Sequence, residues 1–593
     1  MPTGDLTLAM VGSGGDGVVT MGDMIAQAGA REGLHVMKVE AYGPQIRGGE
    51  SSCTVRVSSE PIFAQGDLID ILVVFNWKDF SRFRGEMVAA PNAVVLYEAS
   101  DERPEDETSL GTGEGATWIP VPFIQLAKDS AGTTLAKNIV TLGVLTEMFG
   151  LPERWLRKAV EHKFAKKKKE VLEVNMAGFA AGVEFARSVD ADVSRLRLEY
   201  EPGEPKLLMS GNEASAVGAL HAGCRFFAGY PITPSSEILH FLSEWMPRVG
   251  GSLVQTEDEL AAIGAVIGGS FAGVKSMTAT SGPGLALMTE MLGLASMAEV
   301  PAVIVDVQRG GPSTGLPTKS EQSDLWQALW GSHGDAPRVV LAPADVEDCF
   351  HATVEAFNIA EESQMPVIVL SDQFIAQRRE TLSMLTLDHE VRDRLVPSDE
   401  ELKNGYRRYE DTATGISPMT VPGMKGGEYQ TNGLEHDEDG SPTSMHLTHE
   451  KMNAKRYRKL RQVRSDYAFY RHYGPKQAEV GILCWGSAKG PVKEAVLKAN
   501  AAGKKISAFV PQVLYPFPRH EFEEYLKNVQ EVIVVELSFS AQFYKYLKTF
   551  LTLPEGHTFV FKRSGGKNLT VVEVEEKIER VLELAPLRRE VAV

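Results

Sequence analysis

Two hydrophobic rhythms alternate along most of this chain. Short apolar runs predict buried strands at Leu6–Val11, Ile69–Phe75, Ala93–Tyr97, Cys224–Gly229, Lys275–Thr280, Pro301–Val307, Pro366–Ser371, Val480–Trp485, Ile506–Val513 and Val532–Leu537. Between them the spacing turns helical. Met21, Met24, Ile25 and Ala28 share one face, with Gly33 placed as the C-cap. Ala214–Gly223, Ala261–Gly273, Val492–Ala502 and Gln542–Phe550 predict further helices. Strand–helix alternation implies parallel sheets covered on both faces, with ligands bound beyond the carboxyl ends of the strands. Two stretches break the rhythm. Asp190–Lys206 is charged and holds Pro202 and Pro205, which predicts a linker at 191–206. Apolar density falls from Glu380 to Tyr473, and Gly415–Gly427 is rich in glycine and proline, which predicts an extended connector at 386–475. Its end, Lys451–Arg464, reads as an exposed helix. The three α/β regions are then 1–190, 207–385 and 476–593.

Groups with chemical potential cluster at predicted strand ends. Gly12, Gly14 and Gly17 follow the first strand and open a helix, and Glu40 ends the next strand, His35–Glu40. That spacing satisfies a dinucleotide fingerprint; the alternative is a tight turn that binds nothing. Arg47 lies in a glycine-flanked loop before the strand Cys53–Val57, as a solvated arginine or as a cation aimed at a carboxylate or coenzyme A. Tyr230-Pro231-Ile232-Thr233-Pro234-Ser235-Ser236 is a stiff loop, because each proline fixes its own φ and biases its predecessor. It would hold Thr233 in place, with Ser235 or Ser236 capping the next helix. Glu259 starts an apolar helix, where the helix dipole favours an acid; Glu257 and Asp258 fit that account equally well. Arg309 ends a strand. Its forked guanidinium suits a carboxylate ligand or a local partner such as Glu321. Gly315–Gln322 forms a second loop at the same end.

Four motifs in one order carry a resemblance: Tyr-Pro-Ile-Thr-Pro-Ser-Ser, Glu-Asp-Glu-Leu-Ala, Ala-Thr-Ser-Gly-Pro-Gly and Arg-Gly-Gly-Pro-Ser-Thr-Gly-Leu-Pro-Thr. Together they resemble the α subunit of 2-oxoacid:ferredoxin oxidoreductases. Ala41–Ser52 is similar to the γ-subunit signature of the same family, and the region from Val480 resembles its transketolase C-terminal-like domain. The implied fold is multidomain α/β: a γ-type α/β domain, a thiamine-diphosphate pyrimidine-binding fold, then the C-terminal-like α/β domain. In this family the glycine-rich turn is not a nicotinamide site. The resemblance aligns Glu259 with the glutamate that hydrogen-bonds the cofactor's aminopyrimidine and exchanges a proton with its ring nitrogen. It places Pro231, Ile232 and Thr233 at the cofactor, and Tyr230, Thr233, Arg309 and Arg47 at the substrate. The implied reaction is coenzyme A-dependent oxidative decarboxylation of a 2-oxoacid with reduction of ferredoxin, or its reverse. Gly433-Leu434-Glu435-His436 resembles members acting on 2-oxoglutarate or similar acids, and 2-oxoglutarate would give succinyl-CoA. Pyruvate as substrate, a nicotinamide-dependent oxidoreductase and a silent assembly subunit are the rival readings.

Composition changes this picture in three ways. A net charge of −18 over 593 residues argues against nucleic acid as a partner. Cys53, Cys224, Cys349 and Cys484 are far apart in sequence, which argues against an iron–sulfur cluster, structural zinc or disulfides within the chain. Gly15-Asp16-Gly17 lacks the asparagine pair that completes a magnesium–diphosphate motif, and Glu435–Gly440 lacks the alternation of a calcium loop. No metal site is therefore expected. A β subunit would supply Mg2+ and a [4Fe-4S] cluster and share the thiamine diphosphate, in an (αβ)2 assembly. Lys166–Lys169 reads as a solvated helix face. The absence of a long apolar run or a signal-like N-terminus predicts a cytoplasmic protein without a membrane span.

Overall fold

The computed structural model describes residues 3–43, 49–83, 85–102, 104, 115–385, 388–467 and 469–591. The chain divides into two compact units. One comprises 1–209, 378–385 and 570–572; the other holds 210–377, 386–569 and 573–593.

The first unit is built on an eight-stranded sheet. Its order is Thr117–Val121, Ala89–Glu98, Ile69–Val74, Asp5–Ser13, Glu50–Ser58, His35–Tyr42, Arg379–Leu382 and Leu207–Ser210. Helix Val18–Glu32 buries Met21, Met24, Ile25 and Ala28 against this sheet, and Gly33 ends it in the left-handed conformation. The topology departs from a dinucleotide unit. Glu50–Ser58 lies between Asp5–Ser13 and His35–Tyr42, antiparallel to both. Glu40 is thus a strand removed from the glycine-rich turn, paired with Lys38 and accepting a hydrogen bond from Tyr42. The turn closes on itself: Asp16 accepts the Ser13 N–H at 2.9 Å and pairs with Lys137 at 2.8 Å. A Cβ on Gly17 would stand 2.2 Å from Asn138.

Three sequence expectations change here. Residues 191–206 are a packed segment, because their backbone is paired: Gly203 N donates to Glu32 O at 2.8 Å, Lys206 N to Ala30 O at 2.9 Å, and Leu198 is buried. Lys166 and Lys167 lie in the turn between helices Glu153–Phe164 and Lys169–Ser188, and Lys168 caps the second helix, so the basic run is not a helix face. Arg379–Leu382, expected in the middle domain, joins the first sheet through an antiparallel pairing with His35–Tyr42.

The second unit holds two sheets. The seven-stranded one runs Val513–Tyr515, Val339–Leu341, Pro366–Asp372, Ala302–Gln308, Ser276–Thr280, Phe226–Gly229, Ser252–Gln255. The pairings among the last six are parallel, and the central strands Ala302–Gln308 and Pro366–Asp372 are buried along their whole length. The five-stranded one runs Tyr470–Tyr473, Ile506–Pro511, Ala478–Cys484, Val529–Glu536, Thr558–Lys562. One apolar core spans both, joining Ile263, Leu285 and Ile304 to Trp485, Phe509 and Phe543. The expected strand Ile506–Val513 is two strands. Pro511 ends the first, and Val513–Tyr515 crosses to pair antiparallel with Val339–Leu341. Tyr470–Tyr473, read as connector, belongs to the five-stranded sheet.

The basic helix is the largest correction. It spans His446–Asp466 and buries Met452, Lys455, Arg456, Lys459 and Val463. Its lysines are inside because Glu299 is inside: both Glu299 oxygens accept from Lys455 Nζ at 2.7 Å, and Lys459 Nζ lies 2.5 Å away. Among the described residues, no helix is long and apolar enough to cross a membrane.

Candidate active site

The functional groups sit at the carboxyl ends of the strands of the seven-stranded sheet. Strand Phe226–Gly229 runs directly into Tyr230–Ser236, whose turn closes on one carbonyl: Ile232 O accepts from Ser235 N at 2.9 Å, Ser236 N at 3.1 Å and Ser235 Oγ at 3.0 Å. Ser235 therefore tightens the loop and does not cap helix Ser236–Trp245 with its side chain. Asn212 holds the loop from below, donating to Pro234 O at 2.9 Å and to Glu237 at 2.9 Å. Tyr230 and Thr233 are exposed, while Pro231 and Ile232 are half-buried.

The three consecutive acids separate cleanly. Glu257 is exposed. Asp258 is the N-cap of helix Glu259–Phe271, accepting the Ala261 N–H at 2.7 Å. Glu259 is the first helical residue and only 5% exposed. Its carboxylate packs over Gly284: a Cβ there would come 2.7 Å from Glu259 Oε1, 2.6 Å from its Cγ and 2.0 Å from Thr280 Oγ1. Gly282 gives the same clearance to Asp324, 2.6 Å from the carboxylate. The glycines of Ser281-Gly282-Pro283-Gly284 are thus the space that two carboxylates occupy.

Arg309 follows strand Ala302–Gln308 and is 7% exposed. Its guanidinium donates to Thr233 O at 2.6 Å, which ties the Tyr230–Ser236 loop to the end of strand Ala302–Gln308. Its Nε has no hydrogen-bond partner among the described residues. Among the described residues no carboxylate lies within ion-pair distance of it. Glu321, the expected local partner, instead accepts the Gly565 N–H at 2.7 Å. Burial lowers the Arg309 pKa, and the Asp324 charge partly offsets this. Burial likewise pushes Asp324 up to about 7, against the pull of Arg309 and with Glu321 adding to the rise. The second loop splits in role. Leu316 is exposed, whereas Gln322 is buried and bonded to Trp485 O at 2.8 Å and to Leu537 N at 2.9 Å.

Glu259, Thr233 and Arg309 thus share one end of the sheet, with Arg309 touching the Thr233 backbone. Arg47 lies outside the described residues. Sequence reasoning missed Asn212, Asp306, Gln308 and Asp324. The signal for the second and third was present: a carboxylate and an amide interrupt the otherwise apolar run Ala302–Gln308. Among the described residues, no group of three or more His, Cys, Asp or Glu side chains is arranged to hold a metal ion. In the Glu435–Gly440 run, Glu435 pairs with Arg456 and His449, and Glu438 with Arg407 and Lys451.

Three family models match the chain. "Pyruvate ferredoxin/flavodoxin oxidoreductase" matches residues 7–185, and "Pyruvate flavodoxin/ferredoxin oxidoreductase, thiamine diP-bdg" matches 217–456. "Pyruvate:ferredoxin oxidoreductase core domain II" matches 478–574. The α subunit of 2-oxoacid:ferredoxin oxidoreductase 2 from Aeropyrum pernix is 30% identical over 641 aligned positions, covering 98% of each chain. The chain belongs to the 2-oxoacid:ferredoxin oxidoreductase α-subunit family. Within the family, 2-oxoglutarate synthase subunit KorA of Methanothermobacter marburgensis is 40% identical over 338 positions, 57% of this chain and 89% of the relative. The solved 2-oxoglutarate:ferredoxin oxidoreductase from Magnetococcus marinus, with 2-oxoglutarate, coenzyme A and succinyl-CoA bound, superposes at a TM-score of 0.92 with 38% identity. It covers 98% of this chain and 100% of the matched one.

Proposed function

We propose that this chain is the α-type subunit of a 2-oxoglutarate:ferredoxin oxidoreductase. Together with a β subunit it decarboxylates 2-oxoglutarate oxidatively with coenzyme A, giving succinyl-CoA, CO2 and reduced ferredoxin, or runs the reverse. The observation that carries the reading is Arg309, a buried guanidinium with no ion-pair partner among the described residues. A buried cation without an ion-pair partner is expensive unless an anion arrives to complete it. The bound molecules of the Magnetococcus marinus structure favour 2-oxoglutarate as that anion.

The residues fit thiamine diphosphate at its pyrimidine end. Glu259 presents a carboxylate that takes no protein hydrogen bond among the described residues, over a floor kept open by Gly284. When bound, the cofactor would supply the electrophilic thiazolium that decarboxylation of a 2-oxoacid needs. Glu259 would hold and move a proton at a pyrimidine nitrogen. The Tyr230–Thr233 loop, stiffened by its prolines and by Asn212, would orient the substrate, and Arg309 would bind the carboxylate adjacent to the carbonyl. Arg47 is our candidate for the distal carboxylate or for coenzyme A. A β subunit would bring the diphosphate–magnesium site and the cluster, in an (αβ)2 complex in the cytoplasm.

Reconstitution tests this reading. The chain purified alone should be colourless and inactive. With a β-type partner it should give a brown complex that reduces ferredoxin with 2-oxoglutarate and coenzyme A. Stoichiometric iron and sulfide in the isolated chain, or a complex preferring pyruvate, would refute it.

A further inference from the structure

Arg309 is bracketed on both sides by bonds to one segment, 319–324. Before it, Gln308 Oε1 accepts the Asp324 N–H at 3.1 Å, and Gln308 Nε2 donates to Ser371 O at 3.0 Å. After it, the Gly310 N–H donates to Lys319 O at 2.9 Å, and Gly310 O accepts the Leu316 N–H at 2.7 Å. Whatever places 319–324 therefore places Arg309. The region of the five-stranded sheet does so almost residue by residue. The Lys319 side chain crosses Gly566, where a Cβ would stand 2.2 Å from Lys319 Cβ. Glu321 accepts the Gly565 N–H at 2.7 Å. Ser323 O accepts from Gln542 Nε2 at 2.7 Å, and Gln542 Oε1 accepts the Trp326 N–H at 3.1 Å.

Gln322 is the centre of this seam and is wholly buried. Trp485 and Leu537 directly follow the neighbouring parallel strands Ala478–Cys484 and Val529–Glu536. Gln322 makes three bonds to these two residues. Its N–H donates to Leu537 O at 2.7 Å, its Oε1 accepts the Leu537 N–H at 2.9 Å, and its Nε2 donates to Trp485 O at 2.8 Å. Gly486 makes room for the amide: its φ is 56°, and a Cβ there would stand 2.6 Å from Gln322 Nε2. The site needs one acceptor and one donor on the same short side chain, which a carboxamide supplies and a carboxylate does not.

We propose that Gln322 is a positioning residue for the 2-oxoacid: it seats 319–324 on the ends of two strands of the five-stranded sheet and so holds Arg309 where the substrate carboxylate meets it. The proposal rests on the reading of Arg309 as the carboxylate-binding group. It gives the last α/β region a part in substrate binding, although that region brings no side chain to the substrate. Displacing a binding group by ~1 Å can cost ~10²-fold, so a small slip of this seam is enough to register. A residue that only stabilised the fold would reduce the fraction of active complex and leave KM alone.

The test is a double-mutant cycle in the reconstituted complex, read as KM for 2-oxoglutarate and KM for coenzyme A. Gln322→Met keeps the length of the side chain and removes both of its bonds. It should raise KM for 2-oxoglutarate about tenfold, leave KM for coenzyme A unchanged and alter kcat far less. In an Arg309→Gln background it should raise KM no further, because the group it positions is gone. An unchanged KM for 2-oxoglutarate, an equal rise for both substrates, or a full additional rise on top of Arg309→Gln overturns the proposal. If Gln322→Met does not assemble, Gln542→Ala, which releases Ser323 O from the same seam, is read by the same criteria with a smaller expected rise. Arg309→Gln alone separates the two readings. If it leaves KM unchanged, the carboxylate-binding assignment itself fails; if it raises KM while the seam variant adds its full effect, only the positioning role fails.

Discussion

Glu299 is held by three buried cations, Lys455, Lys459 and Arg408, and its removal should be among the most damaging changes in the second unit. Its carboxylate is fully buried, as are Lys455 and Lys459. Arg408, also fully buried, donates to the Glu299 backbone oxygen at 2.6 Å. These cations hold the Glu299 carboxyl far below the usual range, although burial alone would raise it. Glu299→Gln leaves two ammoniums and a guanidinium in a dry site with no counter-charge. Removing one partner from a buried pair costs about 3–5 kcal/mol. Lys459→Met should behave oppositely. The cluster has more cations than anions, and burial lowers Lys459 to about 7, partly offset by Glu299. Replacing it with an apolar side chain of similar length should be close to neutral or stabilising. The two changes also differ with pH. An unfolded lysine holds its proton up to about 10.5, so between about 7 and 10.5 the unfolded state binds more protons, and this residue makes stability rise with pH. The slope is at most ~1.4 kcal/mol per pH unit and should vanish in Lys459→Met. As pH falls below ~4.5, where the unfolded carboxyl protonates, the contribution of Glu299 should decline, and it is fully lost only below the folded pKa, far under the usual range. Urea unfolding followed by tryptophan fluorescence at several pH values measures all of this. Equal and small losses in Glu299→Gln and Lys459→Met would refute the reasoning, because they would mean the site is wet enough to screen its charges.

Other changes probe the site itself. Gly284→Ala puts a Cβ 2.0 Å from Thr280 Oγ1 and 2.6 Å from Glu259 Cγ. It should cost ~1–3 kcal/mol of stability and weaken thiamine diphosphate binding, measured by cofactor titration of the reconstituted complex. Asp258→Ala should lose the helix cap, about 1 kcal/mol, whereas Asp258→Asn keeps it, and melting temperatures should rank accordingly. Arg309→Gln should raise KM for every 2-oxoacid alike, by roughly tenfold to a hundredfold. Arg47→Ala should raise KM for 2-oxoglutarate more than for pyruvate; steady-state kinetics on both substrates would show it, and an equal effect would assign Arg47 to coenzyme A or to the fold.

The parallel strands were legible because a strand buried on both faces must be apolar throughout, as Ala302–Gln308 nearly is. The loops at their ends were legible because prolines have few conformational alternatives and glycines mark turns that other residues avoid. What escaped was set by partners far away in sequence. Lys455 and Lys459 read as solvated because lysines usually are, and only Glu299, over 150 residues earlier, takes them inside. Asp324 drew no attention in the sequence, and only Gln542 on another helix, which accepts the Trp326 N–H, shows that it does not cap the helix it precedes. Glu257, Asp258 and Glu259 could not be separated by propensity, since all three suit a helix start. The phase of the helix separates them, turning one outward, one onto the backbone and one inward. The dinucleotide pattern at Gly12–Gly17, kept only as a rival reading, shows the same limit: the pattern is local, while the antiparallel strand inserted beside it is not.

The central claim is that this chain contributes the proton-handling carboxylate, Glu259, to a thiamine diphosphate site completed by another subunit. Hydrogen–deuterium exchange at the cofactor's thiazolium C2, measured in reconstituted complexes, tests it most directly. Glu259→Gln retains size and a hydrogen-bonding group but cannot pass a proton, so exchange should slow by ~10²–10⁴. Glu257→Gln and Asp258→Asn should exchange at nearly the wild-type rate. Wild-type exchange in a Glu259→Gln complex that still binds the cofactor would contradict the account.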